Sequence, residues 1–80
     1  MKQVMKQVTA EEIAVLVGRQ LGTASVRPEH LLIEELGAES IDLVNILAAL
    51  ADRYGINLDE TELAGVDTVA DLHQLVSSRL

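Results

Sequence analysis

Cysteine is absent from this chain of 80 residues, which removes disulfide frameworks and thiolate metal sites from consideration. Phenylalanine and tryptophan are absent too, and Tyr54 is the single aromatic residue. The core must therefore be built from Leu, Ile, Val and Ala, and no aromatic platform exists on which bases could stack. No apolar run approaches the ~18 residues that a membrane span requires. Basic residues are scarce: Lys2 and Lys6 are the only charges before Thr9, so residues 9–80 set four arginines against thirteen acids, a formal −9. Such a surface repels nucleic-acid phosphates and anionic membranes and suits basic protein partners. His30 and His73 lie far apart without ligand spacing and read as surface residues rather than metal ligands.

Eighty residues suffice for one small domain. Residues 1–8 repeat Met-Lys-Gln-Val and are set aside as an N-terminal extension, too polar for a secretory signal. The expected location is the cytoplasm. Residues 9–80 form the domain proper. Thr9-Ala10-Glu11-Glu12 has capping-box spacing. Ile13, Leu16, Val17 and Leu21 recur at helical intervals until Gly22, which predicts helix one over about 9–21. Pro28 forbids a helix through the long connection 23–39. Val26, Leu31, Leu32, Ile33 and Leu36 nevertheless predict that this first loop packs on the bundle, with room for one helical turn after Pro28.

A second helix is predicted over about 40–54, with Gly55 as its stop. At 100° per residue, Leu43, Val44, Ile46, Leu47, Leu50, Ala51 and Tyr54 share an apolar face, while Asp42, Asn45, Ala49, Asp52 and Arg53 oppose it. Ile41 and Ala48 project onto that polar side. They are either isolated surface residues or a contact for a partner. Asp59 to Glu62 starts a short helix of about 59–64. Thr68 to Asp71 caps a last one over about 68–79, with Val69, Leu72, Leu75, Val76 and Leu80 as its buried stripe. No strand-like alternation is present. The expected fold is all-α, a small four-helix bundle of three longer helices and one short one with a long first loop.

The chemistry concentrates at Glu35-Leu36-Gly37-Ala38-Glu39-Ser40-Ile41-Asp42, where an acidic turn runs into helix two. Ser40 reads as the helix cap. Leu43 stands three residues on, where Glu12, Glu62 and Asp71 close the other starts, so the Ser40 hydroxyl is expected to face solvent. It is either a plain N-cap or a point where a phosphate-bearing group is attached, since a helix N-terminus stabilises a phosphodiester. Nucleophilic catalysis would need a base and an oxyanion hole that the sequence does not offer.

Leu36-Gly37-Ala38-Glu39-Ser40-Ile41-Asp42 resembles the Leu-Gly-x-Asp-Ser-Leu-Asp signature of acyl carrier proteins. The resemblance extends over about 9–80 through Gln20-Leu21-Gly22, Tyr54-Gly55-Ile56 and Thr68-Val69. It implies a carrier rather than an enzyme, with 4′-phosphopantetheine from coenzyme A joined to Ser40 and acyl groups held as thioesters. It also implies roles for Gly37 and Glu39 beside the attachment point. Ile41, Asp42, Asn45, Ala48 and Asp52 become the partner-binding face. The implied partners are a phosphopantetheinyl transferase and acyl-loading, acyl-extending or acyl-transferring enzymes with basic docking surfaces, in fatty-acid, polyketide or related specialised biosynthesis. The carrier itself is expected to be a monomer. Glu39 and Ile41 depart from the signature's Asp and Leu. Asn45, Ala51 and Arg53 stand where fatty-acid carriers commonly have Glu, and the loop is about two residues shorter; these departures point to a dedicated pathway. A peptidyl or aminoacyl carrier and an unmodified helical adaptor are the alternatives.

Overall fold

The computed structural model describes residues 8–80; the rest of the expected extension, residues 1–7, lies outside them. Three α-helices and one 3₁₀ helix follow one another: α1 Ala10–Leu21, α2 Ser40–Tyr54, the 3₁₀ segment Glu60–Gly65 and α3 Val69–Ser77. No strand occurs among the described residues, and the architecture is the expected small helical bundle. The third element is 3₁₀ rather than α, and the last helix ends at Ser77 instead of 79.

α1 starts and stops as its sequence dictates. Thr9 Oγ1 accepts from the Glu12 N–H at 3.1 Å, and Glu12 accepts from the Thr9 N–H at 2.9 Å. Two donors that the helix cannot satisfy internally are thereby paired. Gly22 closes the helix in the left-handed conformation. α1 packs against both α2 and α3. Ile13 and Val17 from α1, Ile46 and Leu50 from α2, and Val69, Leu72 and Val76 from α3 are sealed from solvent. The core is aliphatic throughout. Tyr54 sits at its edge, where partial burial pushes the phenol pKa up and the nearby Glu12 carboxylate adds to the effect.

The first loop is fixed to α3 by its backbone. The Leu32 N–H donates to Asp67 O at 2.9 Å, and the Val69 and Ala70 N–H groups donate to His30 O and Pro28 O at 3.1 and 2.8 Å. Leu31 and Thr68 thus form an isolated antiparallel bridge. The loop carbonyls satisfy the first donors of α3, which would otherwise be unpaired. Leu32 and Ala38 are buried and anchor the loop to the core, whereas Ile33 is exposed. Arg79 pairs with Glu62, tying the end of the chain to the 3₁₀ segment.

The structure corrects three placements. Val44 is 38% exposed and Leu80 49% exposed, so neither belongs to the buried faces; Ala49, assigned to the polar side, is half-buried against the core. Val44 lies at the edge of the apolar arc of α2, where burial depends on whether a neighbour covers it. Leu80 follows the end of α3 and has left the helical register. Val8, the last residue of the expected extension, is buried, and its carbonyl accepts from His73 Nε2 at 2.8 Å.

Candidate functional site

The site is the start of α2. Two local devices place it. The first is the turn from Leu31 to Ala38, in which Gly37 donates to Ile33 O at 3.0 Å and Ala38 to Leu32 O at 2.9 Å. Gly37 takes φ +72°, and a Cβ there would meet no atom within 4 Å. Glycine is needed for the backbone angle, not for space. The second device is the helix cap, where the structure corrects the sequence reading. Glu39, not Ser40, is the N-cap, and Ser40 is the first helical residue. The acid that reaches back is Asp42, which accepts from the Glu39 N–H at 2.9 Å. The spacing Glu39-x-x-Asp42 carried this signal, one residue out of frame with a cap placed at serine.

This shift matters chemically. As first helical residue, Ser40 is relieved of capping. It is exposed, and its hydroxyl makes no hydrogen bond among the described residues. The Ser40 and Ile41 N–H groups likewise have no protein acceptor there, and both sit at the positive end of the α2 dipole. A phosphodiester on Ser40 Oγ would meet these donors without displacing any protein contact, so the residues present fit that group. Carboxylates flank the serine in the chain, Glu39 directly before it and Asp42 two residues on. Neither histidine is hydrogen-bonded to Ser40. His30 Nδ1 accepts from the Arg27 N–H at 3.0 Å, and His73 is engaged by Val8.

The expected partner face is solvent-facing but not uniformly so. Ile41, at 60%, and Asn45, Ala48 and Asp52 are exposed, while Asp42 is half-buried by its capping contact. Sequence reasoning missed Val44. It extends the exposed apolar stripe from Ile41 and lies one turn beyond Ser40 on the same side of the helix. With Leu47, Leu58, Asp59, Glu60 and Thr61, it lines an open groove of about 510 Å³ between α2 and the 3₁₀ segment. No helix among the described residues is long and apolar enough to cross a membrane, and no cluster of His, Cys, Asp or Glu there could hold a metal.

This arrangement, an exposed serine on a helical bundle, is the frame of a carrier protein. Residues 11–76 match the family model described as the phosphopantetheine attachment site. The chain is also similar to curated proteins named acyl carrier protein. One from Nitratidesulfovibrio vulgaris strain DP4 is 30% identical over 71 residues, 86% of this chain and 93% of the relative. One from Saccharopolyspora erythraea is 34% identical over 67 residues, 81% and 70% of the two chains. One from Thermotoga maritima is 28% identical over 71 residues, 86% and 88%. The chain belongs to the acyl carrier protein family. It is a carrier and not a catalyst, its cofactor is covalently attached 4′-phosphopantetheine, and its partners are biosynthetic enzymes.

Proposed function

We propose that Ser40 carries the phosphopantetheine arm and that the protein is a cytoplasmic, monomeric carrier of acyl intermediates in a dedicated biosynthetic pathway. The observation that carries the reading is the exposed, unbonded Ser40 hydroxyl at the first position of α2. The bound arm supplies a terminal thiol that holds the cargo as a thioester. The chain's own residues do the rest. Gly37 and the Glu39–Asp42 contact hold the serine at the helix start. The Ser40 and Ile41 N–H groups have no protein acceptor among the described residues and would be available to a phosphate carried on the serine. Ile41, Val44, Asn45, Ala48 and Asp52 offer a narrow, mixed surface from which a partner can dissociate readily. The groove beyond Val44 has an apolar wall of Val44, Leu47 and Leu58 beside the serine's own helix face, which suits shielding part of an aliphatic cargo.

Ser40→Ala tests the attachment point. The variant is expected to keep the wild-type circular dichroism and melting temperature. It should show no mass increase after treatment with coenzyme A and a phosphopantetheinyl transferase, while the wild-type protein gains the arm. A modified Ser40→Ala protein would overturn the assignment. Intact-mass analysis of protein from its native cells reads the cargo directly; an aminoacyl or peptidyl adduct would replace the acyl reading.

A further inference from the structure

Four arginines fall within the described residues. Arg27 is paired with Glu29, and Arg79 with Glu62. Arg19 and Arg53 are exposed and have no carboxylate at ion-pair distance among the described residues. Both line one groove between α1 and α2, about 280 Å³ in volume, with Val15, Leu16 and Ala49 as its apolar wall. Its two carboxylates are Asp52 and Glu12, and Glu12 is committed to the Thr9 N–H.

A second groove, about 480 Å³ in volume, lies between α1 and the start of the first loop and shares Val15 and Arg19 with the first. Arg19 is the only charged residue that lines it. Its floor is fixed by backbone. The Thr23 N–H donates to Gly18 O at 2.9 Å, and a Cβ on Gly18 would stand 2.7 Å from Thr23 O. The loop therefore lies directly on the helix, and the groove is preformed.

Val15 and Arg19 are one turn apart, so they stand in a row along α1. At 100° per residue, Leu16 and Gln20 fall on one flank of that row, and Ala14 and Gly18 on the other. The row is thus a ridge with a groove on each side. The inner side of α1 packs on α2 and α3, whereas Val15 is 54% exposed. Rows of side chains four apart, set between the rows of another helix, are the commonest packing of two helices. Ser40 is not on this side: it lies about 140° from Arg53 around α2. Asp52 is the one residue that the grooves share with the partner face of α2.

We propose that the Val15–Arg19 ridge is a second docking surface, which receives an amphipathic helix of a partner protein. That helix sets aliphatic side chains into the two grooves and a carboxylate against Arg19 and Arg53. The planar guanidinium fork suits a carboxylate at an interface, and a lysine in the same place is rejected by like charge. The surface is defined by α1 and does not depend on where the arm is attached.

The probe is a helical peptide of about 20 residues, ~30 Å long, with leucines at three- and four-residue spacing and a glutamate between them. Its control carries lysine in place of glutamate. Binding to the full chain is measured by fluorescence anisotropy and mapped by heteronuclear NMR. The glutamate peptide is expected to bind and to shift the Val15 and Arg19 amide resonances, leaving those of Ser40, Ile41 and Val44 in place. Arg19→Gln is expected to weaken it about tenfold and to strengthen the lysine peptide. Arg27→Gln removes the same charge from the first loop and should change either constant by less than about twofold. Arg53→Gln is expected to act in the direction of Arg19→Gln, and supplies the result if that variant does not fold. Failure of the glutamate peptide to bind, equal losses from Arg19→Gln and Arg27→Gln, or shifts confined to the start of α2 would each overturn the proposal. So would self-association of the carrier that Arg19→Gln abolishes, which would assign the ridge to a second copy of the chain.

Discussion

Gly37 and Ser40 do different work three residues apart. Gly37 sets the direction in which the chain enters α2, and its positive φ is the constraint. An alanine there has room for its Cβ but not the backbone preference. Gly37→Ala is expected to destabilise the fold by about 1–2 kcal/mol, read as a lower urea midpoint with an unchanged slope. Gly37→Asn should lose less, because asparagine tolerates the left-handed region. Ser40 is free because Glu39 occupies the N-cap position and Asp42 reaches back to its N–H. The sequence made the serine conspicuous, yet its spacing fits two caps one residue apart. The choice between them depends on where the chain turns, which Gly37 and the buried Ala38 decide.

At the scale of the element, the three α-helices differ in how their first turns are closed. α3 is the most fully satisfied. Asp71 accepts from both the Asp67 and Thr68 N–H groups, at 3.0 and 3.1 Å, and Thr68 Oγ1 accepts in return from the Asp71 N–H. The Asp67 and Thr68 N–H groups hold the Asp71 carboxyl below its ordinary value of 3.8. The stability that this carboxylate contributes is complete above that ordinary value and is lost as pH falls through the lower value in the folded protein. Asp71→Asn is therefore expected to melt below wild type at neutral pH. The two melting temperatures should converge as acidification below about pH 4 protonates the wild-type residue. A thermal melt series in pH checks it; a constant gap down to pH ~2 would contradict the assignment. On α2, periodicity located the sealed positions Ile46, Leu47 and Leu50. It could not place Val44, because a residue at the edge of an apolar arc is covered only if a neighbouring element extends over it.

The whole molecule adds a surface that no single element has. Its formal charge of −7 gives it long-range attraction for basic partners, and the exposed apolar stripe beside Ser40 gives it short-range contact. The first of these is screened by salt, the second is not. Association with a lysine- and arginine-faced enzyme is expected to weaken about tenfold or more between ~50 and ~500 mM salt, measured as the dissociation constant. A salt-independent constant would assign the binding to the apolar stripe alone. The same scale holds the first loop in place. Backbone donors of α3 meet loop carbonyls of Pro28 and His30, and the loop delivers the chain to Gly37.

Local spacing and side-chain type were enough to locate α1, α2 and α3, the stops at Gly22 and Gly55, the aliphatic core and the stretch in which the chemistry lies, though not the 3₁₀ form of the third element or the end of α3 at Ser77. Every window of the chain carries that spacing and those side chains with it. Only the tertiary structure decided that Glu39 rather than Ser40 caps α2, that the first loop is stitched to α3, and that Arg19 and Arg53 share a groove. Backbone donors and acceptors are alike at nearly every residue, so their pairing leaves no mark in composition. Two arginines 34 residues apart in the chain become neighbours only when α1 and α2 pack.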